Sequence, residues 1–211
     1  MRLYILDFDG TMGDTQGLIV KTMQQVIAEL RLEPRTDSQC AAMIGLPLKQ
    51  TFTDLIPMTD EMGERCAETY TRLFFANNTA RAVSLFPHVV DTIKTLHDRG
   101  SKITIASSRS RQSLVDYVCR FGLTDYISYI VSANDVDNAK PHPEPVLKTL
   151  SELGISADDA IVVGDTSFDI LMGNRAGCQT CGVSYGNGTI AELREAGANY
   201  IIDDFSKLLQ L

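Results

Sequence analysis

From Ser84 onward the chain repeats one unit: a short apolar run, a polar turn, then a helical segment closed by glycine. The apolar runs are Lys102–Ala106, Tyr129–Ser132, Ala160–Val163, Thr180–Val183 and Tyr200–Ile202. Helical spacing runs through Val89–Arg99, Gln112–Phe121, Pro143–Leu153, Phe168–Ala176, Ile190–Glu195 and Phe205–Leu209. Gly100, Gly122, Gly154 and Gly177 act as stops. Tyr4-Ile5-Leu6 adds one more short run near the start, ended by the turn at Gly10. Strands alternating with helices in this way demand a mostly parallel sheet covered on both faces, which sets the class as α/β.

Residues 13–82 break that rhythm. Gly17–Leu30, Asp37–Ile44, Lys49–Leu55 and Asp60–Asn77 all read as helices, with breaks at Pro34, Gly45-Leu46-Pro47 and Pro57 and no convincing strand among them. A helical block after the first strand, before the alternation resumes, predicts an inserted all-helical lobe. Its two crossings, near Met12–Asp14 and Ala82–Pro87, suit a hinge. The plainer alternative is one domain with a long decoration. Met23, Met43, Met58 and Met62 in the lobe suit core filling or a pliable pocket wall.

With 211 residues, the chain can build one good core, or a core plus a smaller lobe. A net charge of −8 with no dense Lys/Arg run argues against nucleic acid and anionic membranes as partners. It also means that an anionic substrate needs local cations to draw it in. No apolar run approaches a membrane span, and no charged leader opens the chain. Five scattered cysteines (Cys40, Cys66, Cys119, Cys178, Cys181) fit a reducing cytoplasm, the expected location. Cys178-x-x-Cys181 lacks the second pair that zinc requires, and its flanking Gly177 and Gly182 read as a turn into a strand rather than a redox site. His88, His97 and His142 are dispersed without ligand spacing.

The polar residues collect where such a sheet binds ligands, outside the carboxyl ends of its strands. Asp7 and Asp9 follow the first run; two carboxylates this close repel, and a divalent cation, best Mg²⁺, removes the repulsion. Ser107, Ser108 and Arg109 follow the second run, Lys140 lies in the loop after the third, and Asp165 and Asp169 follow the fourth. Each has a plain structural reading: Lys140 as a solvated lysine, Ser107 as a helix cap, Asp169 as a first-turn acid. Acids, a lysine and a hydroxyl converging on one rim suit phosphate chemistry far better than packing.

Together these residues resemble the haloacid dehalogenase superfamily, in particular its phosphatases of the phosphoglycolate phosphatase type. The signature segments occur in order: Asp7-Phe8-Asp9-Gly10-Thr11, Ser107, Lys140-Pro141, and Gly164-Asp165 followed by Asp169. Gly45-Leu46-Pro47-Leu48 and Ser184-Tyr185-Gly186-Asn187-Gly188 also look like that branch. The resemblance implies a Rossmann-like α/β core domain, 1–12 and 83–211, with the helical lobe 13–82 as its cap domain. It implies Asp7 as the nucleophile, forming an aspartyl-phosphate, and Asp9 as general acid, then base. Asp7, Asp165 and the Asp9 backbone carbonyl would ligate Mg²⁺, with Asp169 supporting. Ser107 and Lys140 would hold the phosphoryl oxygens, with Gly10, Ser108 and Arg109 at the substrate. The expected partner is a small phosphorylated metabolite, and the chain a monomer or homodimer. Elementary chemistry agrees, because a carboxylate cannot approach a phosphate dianion without charge compensation, and a covalent intermediate divides one hard step in two. Cap closure is expected to shield Asp9; a cap held rigidly open with turnover unchanged would contradict it.

Rival readings differ in class. A β-phosphoglucomutase-like mutase would want a cation near Leu48, where only Lys49 is at hand. Dehalogenation makes no use of Asp9. A phospho-acceptor signalling module is shorter, lacks the insert and places its acceptor after a later strand. Candidate substrates are 2-phosphoglycolate, sugar phosphates, nucleoside monophosphates and pyrophosphate. Arg109, Lys49, Arg72 and Arg81 are the cations placed to reach a second acidic group, each also plausible as a solvated helix charge.

Overall fold

A computed structural model describes residues 2–79 and 82–211. In chain order its strands are β1 (Leu3–Leu6), β2 (Gly13–Asp14), β3 (Ser84–Leu85), β4 (Lys102–Ala106), β5 (Ile127–Val131), β6 (Ala160–Gly164), β7 (Gln179–Val183) and β8 (Tyr200–Ile202). Side chains along β1 alternate between two apolar clusters. Tyr4 and Leu6 enter the larger, Leu3 and Ile5 the smaller, and all four are buried. That two-sided burial is why the run carries no polar residue.

Six strands pair in the order β5-β4-β1-β6-β7-β8, every contact parallel. The chain builds outward from β1 through β4 to β5, then returns to lay β6, β7 and β8 on the other side. The order reverses at β1 and β6, where an open sheet leaves a crevice at its carboxyl rim. Leu6 stands opposite Val163, and the Asp7 amide donates to the Val163 carbonyl at 2.9 Å. The residues leaving β1 and β6, Asp7 and Asp165, therefore emerge side by side.

The helices are α1 (Gln16–Glu29), α2 (Asp37–Ala41), α3 (Leu48–Leu55), α4 (Asp60–Asn77), α5 (Val89–Asp98), α6 (Arg111–Arg120), α7 (Glu144–Leu153), α8 (Ser167–Arg175) and α9 (Ile190–Glu195). Among the described residues the segment between β2 and β3 is helical, as expected. The Thr59 hydroxyl accepts from the Met62 amide and fixes the start of α4. α2 stops earlier than the expected Ile44, because its end tightens into turns in which Met43 N donates to Cys40 O and Ile44 N to Ala41 O. β5 begins two residues before the expected Tyr129, and its pairing with β4 slips past Ser128.

The expectation of no strand between residues 13 and 81 is corrected at its edge. Gly13 and Asp14 pair antiparallel with Leu85 and Ser84, so the two crossings to the lobe are bonded to each other. The larger apolar cluster runs unbroken from Tyr4 and Ile103 through Phe8 and Met12 to Met23, Phe52 and Tyr70, so lobe and sheet share it. Met23 is fully buried, and Met43, Met58 and Met62 pack on the same cluster. Cys178 and Cys181 enter different clusters, and burial pushes their thiols up to about 11 and about 12, away from the thiolate form that reactive cysteines use. No helix among the described residues is long and apolar enough to cross a membrane.

Candidate active site

Three buried carboxylates meet at the crevice. Asp7, Asp165 and Asp169 each offer an oxygen within 4.8 Å of the others. Asp7 leaves β1 and Asp165 leaves β6, while Asp169 sits on the first turn of α8. Gly164 permits this, since a Cβ there would lie 2.1 Å from Asp169 Cβ. Gly10, at a φ of +79°, likewise lets the turn after β1 press against Asp165, where a Cβ would fall 2.1 Å from Oδ2.

Lys140 lies between two of the acids, its Nζ donating at 2.6 Å to both Asp7 Oδ1 and Asp169 Oδ1. It is buried, so the solvated-lysine reading does not hold. The loop carrying it is pinned by Glu144, whose carboxylate accepts from the amides of Asp137 and Asn138 at 2.9 and 3.0 Å. Burial opposes the ammonium, but Asp169 and Asp7 outweigh it and raise Lys140 above its ordinary value. Asp169 does stand in the first turn of its helix, as its plain reading had it, and closes a capping box there: Oδ2 accepts from the Thr166 amide and hydroxyl while Oδ1 serves Lys140. Asp165 is held by Thr11 Oγ1 at 3.2 Å and by the Asn187 amide and Nδ2 at 2.7 and 2.8 Å. Asn187 lay in a segment noted only for its resemblance, and nothing in the sequence gave it this role.

Three carboxylates against one ammonium leave two uncompensated negative charges. Burial, then the neighbouring Asp169, pushes Asp165 up to about 7. Asp7 is raised well above its usual range, by burial first, against the pull of Lys140. An all-oxygen set with that charge deficit fits a hard divalent cation.

Asp9 faces the other way. Its carboxylate accepts from Thr15 Oγ1 at 2.6 Å and from Arg109 Nε at 2.8 Å (Oδ1) and 2.7 Å (Oδ2). The Asp9 side chain therefore falls outside the candidate ligand group of Asp7, Asp165 and Asp169. Arg109 is not the solvated charge that a lone arginine suggests. Its guanidinium lies 4.8 Å from the Phe74 ring centroid, 5.1 Å from Tyr117 and 5.8 Å from Phe8. Burial disfavours its charge, yet Asp9 outweighs this and raises Arg109 above its ordinary value.

Several expected substrate contacts are redirected. Ser108 Oγ donates to the Gly45 carbonyl at 2.7 Å, tying the rim to the lobe, and the Gly10 amide donates to Gly13 O. Ser107 is buried beside Asp7, and Ser110, not Ser107, caps α6. Lys49 pairs with Asp60 and Glu64, and Arg72 with Glu29, all at exposed positions. Arg81 lies outside the described residues. Asp7, Asp9, Ser107, Ser108 and Arg109 form the floor of a cleft of ≈ 840 Å³ including its open mouth, and Leu48 stands in its wall.

A parallel sheet whose β1 and β6 ends gather three acids beside one lysine, at a strand-order reversal, defines a carboxylate-rich ligand site of the Rossmann-like α/β class. The family model for haloacid dehalogenase-like hydrolases matches residues 4–183, and the chain belongs to that family. It is similar to "Pyrophosphatase PpaX" of Halalkalibacterium halodurans, 31% identical over 98% of this chain and 94% of the relative. "Probable phosphatase IndB" of Dickeya dadantii is 32% identical over 98% of this chain and 91% of its own. A solved haloacid dehalogenase-like hydrolase from Bacteroides fragilis, 25% identical, superposes with a TM-score of 0.93 over 98% of this chain and 99% of that one.

Proposed function

We propose that this chain is a Mg²⁺-dependent phosphatase that hydrolyses a small phosphate monoester through a phosphorylated Asp7. The observation that carries the reading is the burial of Asp7, Asp165 and Asp169 around one ammonium, with Asp9 kept apart from them. Asp7, Asp165 and Asp169 would hold the ion, with the Asp9 carbonyl. Bound there, it supplies the positive charge that a carboxylate attacking a phosphate dianion requires.

Asp7 attacks phosphorus as the bond to the leaving oxygen breaks. Asp9 delivers a proton to that oxygen, then takes one from the water that cleaves the phosphoryl group from Asp7. Lys140 orients Asp7 and, with Ser107, steadies the phosphoryl oxygens. Proton delivery by Asp9 requires its pair with Arg109 to loosen. The lobe 13–82 acts as the cap domain and the β2–β3 pair as its hinge. Five free thiols suit a cytoplasmic setting, and relatives named as phosphatases and pyrophosphatases support a phosphorylated small molecule as substrate.

The test is phosphate release, with and without Mg²⁺, from a panel of 2-phosphoglycolate, glycerol phosphate, a nucleoside monophosphate and pyrophosphate. Continuous release that EDTA stops and Mg²⁺ restores is expected. Release limited to one phosphate per chain would identify a phospho-acceptor module instead.

A further inference from the structure

The wall above the acidic floor is apolar. Met23 and Ile19 from α1, Leu48 from α3, and Tyr70, Phe74 and Phe75 from α4 all face the cleft. Tyr70 and Phe74 stack with ring centroids 5.7 Å apart. Phe75 is 54% exposed, one of few large apolar side chains left that open, and it stands on this cleft. Two hydroxyls of the wall are engaged by backbone, Thr51 donating to the Leu46 carbonyl and Thr71 to that of Ala67. The guanidinium at the floor is held by Asp9 and the aromatic rings. Lys49 and Arg72 are paired with surface acids.

We propose that the group leaving from phosphorus is an uncharged alcohol with an apolar, ring-sized body, seated against Leu48, Tyr70, Phe74 and Phe75. This rests on the phosphatase reading and narrows its substrate class. A carboxylate or second phosphate placed against this wall would shed its water with one cation among the described residues lining the cleft, Arg109, itself packed among Phe8, Phe74 and Tyr117 and bonded to Asp9 and Ser113, which is costly. An aromatic or branched alkyl body would cover the exposed Phe75 ring and gain apolar burial. Pyrophosphate and 2-phosphoglycolate are therefore poor substrates, although relatives carry the pyrophosphatase name.

The experiment compares kcat/KM for 2-phenylethyl phosphate, 2-phosphoglycolate and pyrophosphate, with Mg²⁺, in the full chain. A preference of at least tenfold for 2-phenylethyl phosphate is expected. Equal or better use of either charged substrate would overturn the inference and leave the phosphatase reading standing. No phosphate from any of the three, or from the simple esters named above, would overturn both. Phe75→Ala, at an exposed position that does not threaten folding, should raise KM for 2-phenylethyl phosphate about fivefold or more while that for glycerol phosphate stays put. Leu48→Lys should lower kcat/KM for 2-phenylethyl phosphate and raise that for 2-phosphoglycolate. Equal changes for both members of either pair would mean a merely structural role for the wall and would contradict the inference.

Discussion

Asp7 and Asp9 stand two residues apart at the end of one strand, yet their surroundings share almost nothing. Asp7 faces a lysine and two further acids in a buried pocket with a deficit of positive charge. Asp9 faces a threonine and an arginine clamped by aromatic rings that reach it from both the sheet side and the lobe. The same residue type thus meets two environments, one suited to the metal-assisted attack proposed for Asp7 and the other to the proton handling proposed for Asp9. Environment, not identity, divides the labour.

The sharpest way to break this contrast is to remove the charge on the Asp7 side. Asp7→Asn should lower turnover on the order of 10⁴-fold while circular dichroism stays unchanged. Substantial residual activity would mean that the two aspartates are not differentiated as described. Next in size is Lys140→Ala, which leaves its acid partners facing one another unscreened. Unfolding by urea in EDTA should show a loss of about 3–5 kcal/mol, partly restored by Mg²⁺ through binding to the folded state. Unchanged stability in EDTA would show that the ammonium does not hold those acids. The smallest effect belongs to an acid outside the cleft. Asp135 accepts from the Ser132 amide and hydroxyl and pairs with Arg111. Burial opposes its charge, but those partners outweigh it and hold the carboxyl below its ordinary value. Its contribution is therefore fully present above the unfolded pKa of about 3.9 and fades as pH falls through the folded value. Asp135→Asn should cost less than about 1 kcal/mol at pH 7, and the gap from wild type should close on titration toward pH 3, as followed by denaturant unfolding. A gap that stays constant would assign the effect to geometry rather than charge.

Legibility in the sequence divides along similar lines. β4, α4, α9 and β8 could be read to the residue, because periodicity and caps are local signals. The acids and Lys140 could be read as a converging set, since each lies on a segment that leaves the carboxyl end of a strand. The β2–β3 pair could not, because two residues carry no period and their partners lie some seventy positions away. Arg109 was open to two readings, substrate cation or solvated charge, and its burial depends on Phe74 and Tyr117, which only the packed lobe brings together. Asn187 lies in a loop noted for its resemblance, but no pattern in that loop tells that its side chain and amide reach Asp165.

In the proposed cycle Asp7 carries the phosphoryl group while Asp9 serves its proton transfers. The most direct measurement uses Asp9→Asn with Mg²⁺ and a turned-over ester, quenched in acid and digested for mass spectrometry. The predicted result is one phosphoryl group on the peptide containing residue 7, assigned by fragmentation to Asp7 itself. A phosphoryl group on any other residue, or slow phosphate release with no labelled peptide at any time point, would contradict it.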